Sequence, residues 1–313
     1  MVLMAIFQIA LIGLPCLMAS AGGTQCDEPL TPADGLQYLK AASQIITSCD
    51  VTYQVQVTNY YWSTRDPSTE KFTDRRLRPD EIAPRPMGVR RMISDSGRYR
   101  YELFDKEFGK LQGICVIVKG DWRYKELIGR SGPSFSVRRK TDPPTGHRED
   151  YREFLGTHFS GYSLQPLLSD RNSLRAIRDH DGNVILEADP EPGREISGAH
   201  KGFRLVLNLK RGMMVEEAVQ YLKGLPQYKV EVNQWHEFAK GTFAPVRMRT
   251  TSFFPAGEEY QGEVFCVHDL VVDEARSSWN RPVDPSLFEL HADSGMPVVD
   301  SVKGIMTMGG KAN

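Results

Sequence analysis

Hydrophobic and polar residues alternate along much of this chain, and the alternation has a period of two. In Val51-Thr52-Tyr53-Gln54-Val55-Gln56-Val57-Thr58 the apolar side chains fall on odd positions, which predicts a strand with one face to a core and one to water. The pattern recurs in Arg98–Leu103, Phe203–Leu209, Tyr228–Val232 and Val264–Val272. Ile114–Val118 is apolar throughout, as expected of a strand covered on both faces. Short polar connections separate several runs. Gly120-Asp121 precedes Trp122–Leu127, and Asp181-Gly182 lies between Leu174–Arg178 and Val184–Ala188. Turns of this kind join antiparallel partners.

One segment follows the helical period instead. Thr31-Pro32-Ala33-Asp34 supplies an N-cap, a proline at the first helical position and an acid three beyond the cap. Leu36, Leu39, Ala42 and Ile46 then share a face until Cys49 and Asp50 end the pattern. The stretch 141–172 is less regular, with Pro143-Pro144, several glycines and short helix-like pieces at Asp150–Leu155 and Ser163–Leu168. The sum is one helix, a long antiparallel meander of about ten strands and an interrupting helical loop: an α+β chain that is mostly antiparallel β.

The first twenty-one residues break the pattern. Met1–Ala21 carries no charge and ends in Ala19-Ser20-Ala21, the form of a secretory signal peptide cleaved before Gly22. The n-region has no Lys or Arg, and a run of about 20 residues is long enough to span a bilayer. An uncleaved N-terminal anchor is therefore the alternative. Cys16 is a poor lipoprotein anchor, since Pro15 precedes it directly and Gly13 stands where Leu is needed. Cleavage leaves one exported domain, 22–313, destined for a periplasm or cell envelope.

A net charge of −1 with 40% apolar residues permits a sizeable core and argues against an electrostatic nucleic-acid binder, which needs a concentrated basic field. Arg75-Arg76-Leu77-Arg78, closely followed by Pro79, Pro84 and Pro86, reads as a solvated loop. Cys26, Cys49, Cys115 and Cys266 remain after cleavage. In an oxidising compartment they allow two disulfides in three connectivities. A helix over 32–48 spans about 25 Å, whereas the chain from Cys26 to Pro32 reaches about 20 Å, so Cys26–Cys49 needs a near-taut return. Buried thiols are the other reading, and the pairing stays open.

Candidate chemistry is sparse. Asp179-His180-Asp181-Gly182-Asn183 has the alternating oxygens of a calcium loop, but Val184 stands where that loop needs Gly and Pro190 where it needs Glu. The histidines (147, 158, 180, 200, 236, 268 and 291) form no HExxH motif. Gly161-Tyr162-Ser163-Leu164-Gln165 fails as a nucleophile elbow at its last position. Asp269 and Asp273, with Glu263, read as the solvated side of a strand. A hydrolase built from His236, His268 and Asp269 is the enzyme alternative, opposed by the alternation that turns adjacent His268 and Asp269 to opposite faces. No catalytic residue, metal or cofactor is expected.

The aromatics Tyr53, Tyr61, Trp62, Tyr99, Tyr101, Trp122 and Tyr124 fall on strand-like segments of the first half. Singly they are core or cross-strand residues. As a group they are able to line a concave apolar face. Burial of about fifteen methylenes there gains some 12 kcal/mol, at roughly 0.8 kcal/mol each, without any catalytic group.

The order of elements resembles the periplasmic lipoprotein carriers, the LolA/LolB-like and RseB-like proteins. The resemblance rests on the helix Pro32–Ser48 leading into Val51–Tyr61, strand Arg98–Phe104, the Gly120-Asp121-Trp122 turn, and strands Gln227–Phe238 and Ala244–Phe254. It continues in Phe243-Ala244-Pro245-Val246-Arg247-Met248 and in the close, Phe288-Glu289-Leu290 followed by Asp293–Asp300. It covers most of 31–300, and the stretches 63–90 and 141–172 read as inserted loops without counterpart. The resemblance implies an unclosed half β-barrel of about eleven strands, with the N-terminal helix and a helical loop covering its concave face. It also implies a non-catalytic protein that binds lipid, a lipoprotein acyl chain or a similar hydrophobic ligand. The expected cavity-lining residues are Val55, Val57, Tyr99, Tyr101, Leu205, Leu207, Val230 and Val232. An envelope protein partner on the same sheet is the second expectation, and membrane contact is either transient or through a retained N-terminus.

Overall fold

The computed structural model describes residues 28–65, 72–104, 110–118, 121–127, 133–139, 151–159, 162–169, 171–190, 201–257, 259–300, 303 and 305–308. After β1 (Glu28–Leu30), Thr31 caps α1 (Pro32–Ser43). The Thr31 hydroxyl accepts from the Asp34 N–H at 3.2 Å, and the Asp34 carboxylate accepts from the Thr31 N–H at 3.2 Å, a complete capping box. The helix stops at Ser43, short of the expected Ser48. Ile45, Ile46 and Thr47 are β-branched and disfavour helix, and Ser48 already opens β2 (Ser48–Asn59).

β3 (Tyr61–Arg65) and β4 (Phe72–Arg76) then form a separate antiparallel hairpin. Arg75 and Arg76 thus lie on a strand rather than a loop, although both side chains are exposed as expected. β5 (Arg85–Asp95), β6 (Arg98–Phe104), β7 (Leu111–Val118), β8 (Asp121–Glu126) and β9 (Ser134–Arg139) follow. A single 3-10 turn at Tyr151–Glu153, the two-residue strands β10 (His158–Phe159) and β11 (Tyr162–Ser163), and α2 (Leu164–Ser169) make up the helical loop. The meander resumes with β12 (Arg175–Arg178), β13 (Val184–Ala188), β14 (Gly202–Asn208) and β15 (Met214–Leu222). It continues through β16 (Leu225–Ala239), β17 (Thr242–Phe253), β18 (Val264–Val272) and β19 (Ser278–Trp279). β20 (Pro297–Asp300) and β21 (Ile305–Met308) close the order.

Pairing runs from β1 through β12–β18 to β2, then β5–β9, β20 and β21. Neighbours are antiparallel except β9 and β20. β19 continues beside β18 on β2. Among the described residues no ladder joins β1 to β21, so the sheet is unclosed. Asp181-Gly182 forms the β12–β13 turn, with Gly182 at φ 83°.

Two strands differ from the sequence reading. β5 places residues 85–90 inside the sheet, between β2 and β6, so 63–90 is not a loop throughout. Its alternation is masked by a register shift opposite Val55/Gln56 and by burial on both faces (Met92 and Ile93). β15 was hidden because the run breaks at Glu216-Glu217, where the β14 register also shifts.

The sheet curls around the loop. Within 151–159, Arg152 lies over Tyr99 and Tyr101 of β6, while Phe159 meets Phe203 of β14. In a flat sheet those strands stand about 34 Å apart at 4.8 Å per step. The seven steps from Arg152 to Phe159 reach about 25 Å when straight, and the Thr157 N–H turns back onto the Arg152 carbonyl, so the backbone span is far shorter. The resulting half-barrel has an inner core that joins α1, the loop and one face of the sheet (Leu39, Val55, Leu164 and Leu205 among others). A second core lies on the outer face of β5–β9, where Ile93, Ile114, Val116 and Phe135 meet Phe288, Leu290 and Met296. The expected two-sided cover of Ile114–Val118 holds for its described side chains.

Cys49, Cys115 and Cys266 are buried. β5 and β6 separate Cys49 from Cys115, and Cys266 is level with Asn59, at the far end of β2 from Cys49. Cys26, the signal or anchor segment, most of the Gly120-Asp121 turn and residues 141–150 lie outside the described residues or at their edge.

Candidate functional site

Strand alternation decides the site. Val57 is level with His268, Thr250 and Val230, and that row continues through Ala218 to Leu205 and Leu186. The adjacent row holds Val55, Leu270, Met248 and Val232. Leu207 neighbours Val184, and Tyr101 reaches Val51 through Met92. All eight expected lining residues therefore share the inner face. Val55, Tyr101, Leu205, Leu207, Val230 and Val232 belong to the inner core, Tyr99 packs against it, and Val57 is half-buried.

The sheet's inner face is covered from two sides. α1 presses onto β12 and β13, with Gly35 against Leu186 and Ala176. The segment 151–169 contributes Tyr151, Phe154, Phe159, Leu164 and Leu168, each fully buried. The sequence reading gave a helical loop as part of the cover but named none of these residues. The signal was the apolar spacing of Tyr151, Phe154 and Leu155.

Polar contacts fix the cover at few points. Tyr151 stacks on Tyr53 at 5.9 Å and donates to the Pro245 carbonyl at 2.8 Å. Burial, then the nearby Cys49 thiol, pushes the Tyr151 phenol well above its usual range. Tyr228 donates to the Glu153 carboxylate at 2.6 Å. The Arg152 guanidinium lies 4.7 Å from the Tyr99 ring centre and 5.4 Å from that of Tyr101. His158 Nε2 is 3.4 Å from both Arg152 and Ser163 Oγ.

His236, His268 and Asp269 do not come together. His268 turns inward beside Thr250, with Nδ1 and Oγ1 3.4 Å apart, while Asp269 turns outward to Arg249 at 2.7 Å. His236 is engaged elsewhere, with Glu274 at 2.5 Å and the tilted Trp279 ring 5.5 Å away. The Asp179 loop is a turn whose oxygens are occupied: Oδ1 accepts from the N–H groups of Asp181 and Asn183, and Oδ2 from the Asn183 amide. Among the described residues no three His, Cys, Asp or Glu side chains converge as a metal site.

No known protein family and no curated protein matches this chain in sequence. Solved structures do match. The chain is similar to LolA superfamily proteins. The one from Nitrosomonas europaea matches with a TM-score of 0.47 at 10% identity, over 82% of this chain and 97% of that one. A Vibrio parahaemolyticus domain, provisionally assigned as an outer membrane lipoprotein-sorting protein, has a TM-score of 0.45 at 10% identity, covering 83% and 97%. A DUF1329 family protein from Desulfovibrio piger has a TM-score of 0.39 at 12% identity, covering 82% and 96%.

Proposed function

We propose that this protein binds the acyl chain of a lipid or lipoprotein on its inner face and carries it within the cell envelope, without catalysis, as a single exported domain over 22–313. One observation supports the reading: the inner face, apolar apart from the His268–Thr250 pair, is covered over much of its width by one short segment rather than by a second sheet. The resemblance of 31–300 to lipoprotein carriers supports the same reading.

Among the described residues the inner face packs directly against the cover, so a ligand that binds there has to replace it. The five buried side chains of 151–169 contribute roughly 2 kcal/mol each, together about 10 kcal/mol. About fifteen ligand methylenes offer some 12 kcal/mol. The exchange is nearly balanced, as a carrier that must both load and release requires. Tyr151, Tyr228 and Arg152 set the threshold, because their polar contacts are lost on displacement.

Native mass spectrometry of protein from its own envelope, with uptake of a fluorescent fatty acid by delipidated protein, tests this. A co-purifying lipid and saturable uptake are expected. No bound lipid and no uptake overturn the proposal, and a stoichiometric protein partner without lipid replaces it with the interaction reading. Sequencing of the mature N-terminus separates a free carrier, beginning at Gly22, from a tethered one.

A further inference from the structure

We infer that the outer face carries a second binding site, a pocket over Phe135 and Val137 that takes a small amphiphilic anion: a carboxylate or phosphate monoester with an apolar body. The pocket, open to solvent along its rim, has a volume of about 310 Å³ and is lined by Arg123, Phe135, Val137, Leu290, His291, Ala292, Asp300 and Lys303. It lies across the sheet from the acyl-binding face and does not depend on it.

Register builds the pocket. Val137 of β9 pairs with Arg123 of β8 on one side and Asp300 of β20 on the other. Paired residues of adjacent strands project to the same face, so Arg123 and Asp300 flank Val137 at about 4.8 Å per strand. Phe135, one step along the same face, is buried with Leu290 in the outer core, which fixes an apolar floor. The 290–292 segment forms a wall, and the Lys125–Asp293 ion pair at 2.7 Å ties its far end to β8.

Charge selects the ligand. Of the lining side chains Arg123 and Lys303 are cationic and Asp300 is anionic, while the His291 ring lies 4.0 Å from the Glu289 carboxylate. The Asp300 carboxylate is already engaged: Oδ1 accepts from the Lys303 N–H at 3.0 Å, and the Lys303 ammonium is 3.9 Å from Oδ2. Among the described residues Arg123 has no ion-pair partner, so its planar fork is available for bidentate contact with a carboxylate or phosphate. The volume, at the small end of ligand pockets, holds roughly ten water-sized groups. That is enough for an aromatic or short aliphatic anion and too little for a long acyl chain.

Titration calorimetry of the full protein with phenyl phosphate, inorganic phosphate and phosphatidylglycerol vesicles tests the inference. Saturable binding of phenyl phosphate is expected, with inorganic phosphate weaker because it leaves the floor uncovered. Arg123→Gln should weaken phenyl phosphate about tenfold, the effect of losing a charge-assisted contact, and Lys303→Gln less. Fatty-acid uptake on the inner face should be unaltered in both variants, so either proposal is able to fail alone. Vesicle binding sensitive to Arg123→Gln, and absent with phosphatidylcholine, identifies the phosphate as a lipid headgroup; otherwise it belongs to a free metabolite. Equal titration of wild type and Arg123→Gln, or no saturable response to either phenyl phosphate or anionic vesicles, overturns the site.

Discussion

Two residues show how tightly the half-barrel is packed. A Cβ on Gly35 would lie 2.3 Å from Leu186 Cδ2 and 2.8 Å from Ala176 Cβ. Leu186 is fully buried, and the Ala176 Cβ is fixed to its strand and moves only with it. Gly35→Ala gains about 1 kcal/mol of helix propensity but overpacks the α1 interface by about 1–3 kcal/mol. A net loss of about 1 kcal/mol is expected in urea unfolding, and a stabilised variant would mean that α1 rides higher on the sheet. Tyr61 reports on the other end of β2. Burial, then the hydrogen bond its hydroxyl donates to Glu263, raises its pKa from 10.0 to about 12. A raised folded-state pKa stabilises below the unfolded value and loses that contribution as pH climbs through the folded one. Stability should therefore fall between pH 10 and about 12, and Tyr61→Phe should remove part of that slope.

At the scale of elements, the segment 151–169 is the part on which the proposed loading turns. Arg152 is 4% exposed and stacks on two tyrosines of β6. Arg152→Gln removes a desolvated cation–π contact of about 2 kcal/mol, so the cover should open more often. Hydrogen exchange at 151–159 and fatty-acid uptake should both quicken; faster exchange with unchanged uptake would show that the ligand enters elsewhere. The inner face was legible in the sequence because period two assigns a side to every residue of a regular strand, and Val55, Leu205 and Val230 fell where alternation put them. The β12–β13 turn and the start of α1 were legible because Gly182, Thr31 and Asp34 act locally. β5 and β15 were not, since bulges and two-sided burial erase the alternation. The outer pocket was invisible for a further reason: Arg123, Leu290 and Asp300 meet only through pairing across more than 160 residues of chain.

The whole molecule divides its outer surface in two. Over β12–β18 the outer face is a run of ion pairs: Arg204 with Glu217 at 2.7 Å, Lys229 with Glu217 and Glu231 at 2.9 and 2.8 Å, Arg249 with Asp269 at 2.7 Å. Such partly exposed pairs contribute at most about 1 kcal/mol each, but they keep this half of the sheet wet. Over β5–β9 the outer face mixes an ion-pair network, Arg91 with Asp50 and Glu102 and Arg100 with Glu102, with an apolar patch that residues 283–298 cover. Phe288 is its anchor, 4% exposed with the Arg98 guanidinium 4.6 Å from its ring centre, while Arg100 donates to the Leu287 carbonyl at 2.8 Å. Phe288→Ala should cost about 3–5 kcal/mol and increase binding of a hydrophobic dye to the folded protein. Because the sheet itself lies between the two cores, fatty-acid uptake below the unfolding transition should persist. Loss of uptake in a folded Phe288→Ala protein would mean that the outer strap controls the curl of the sheet, and with it the space in which an acyl chain replaces the cover.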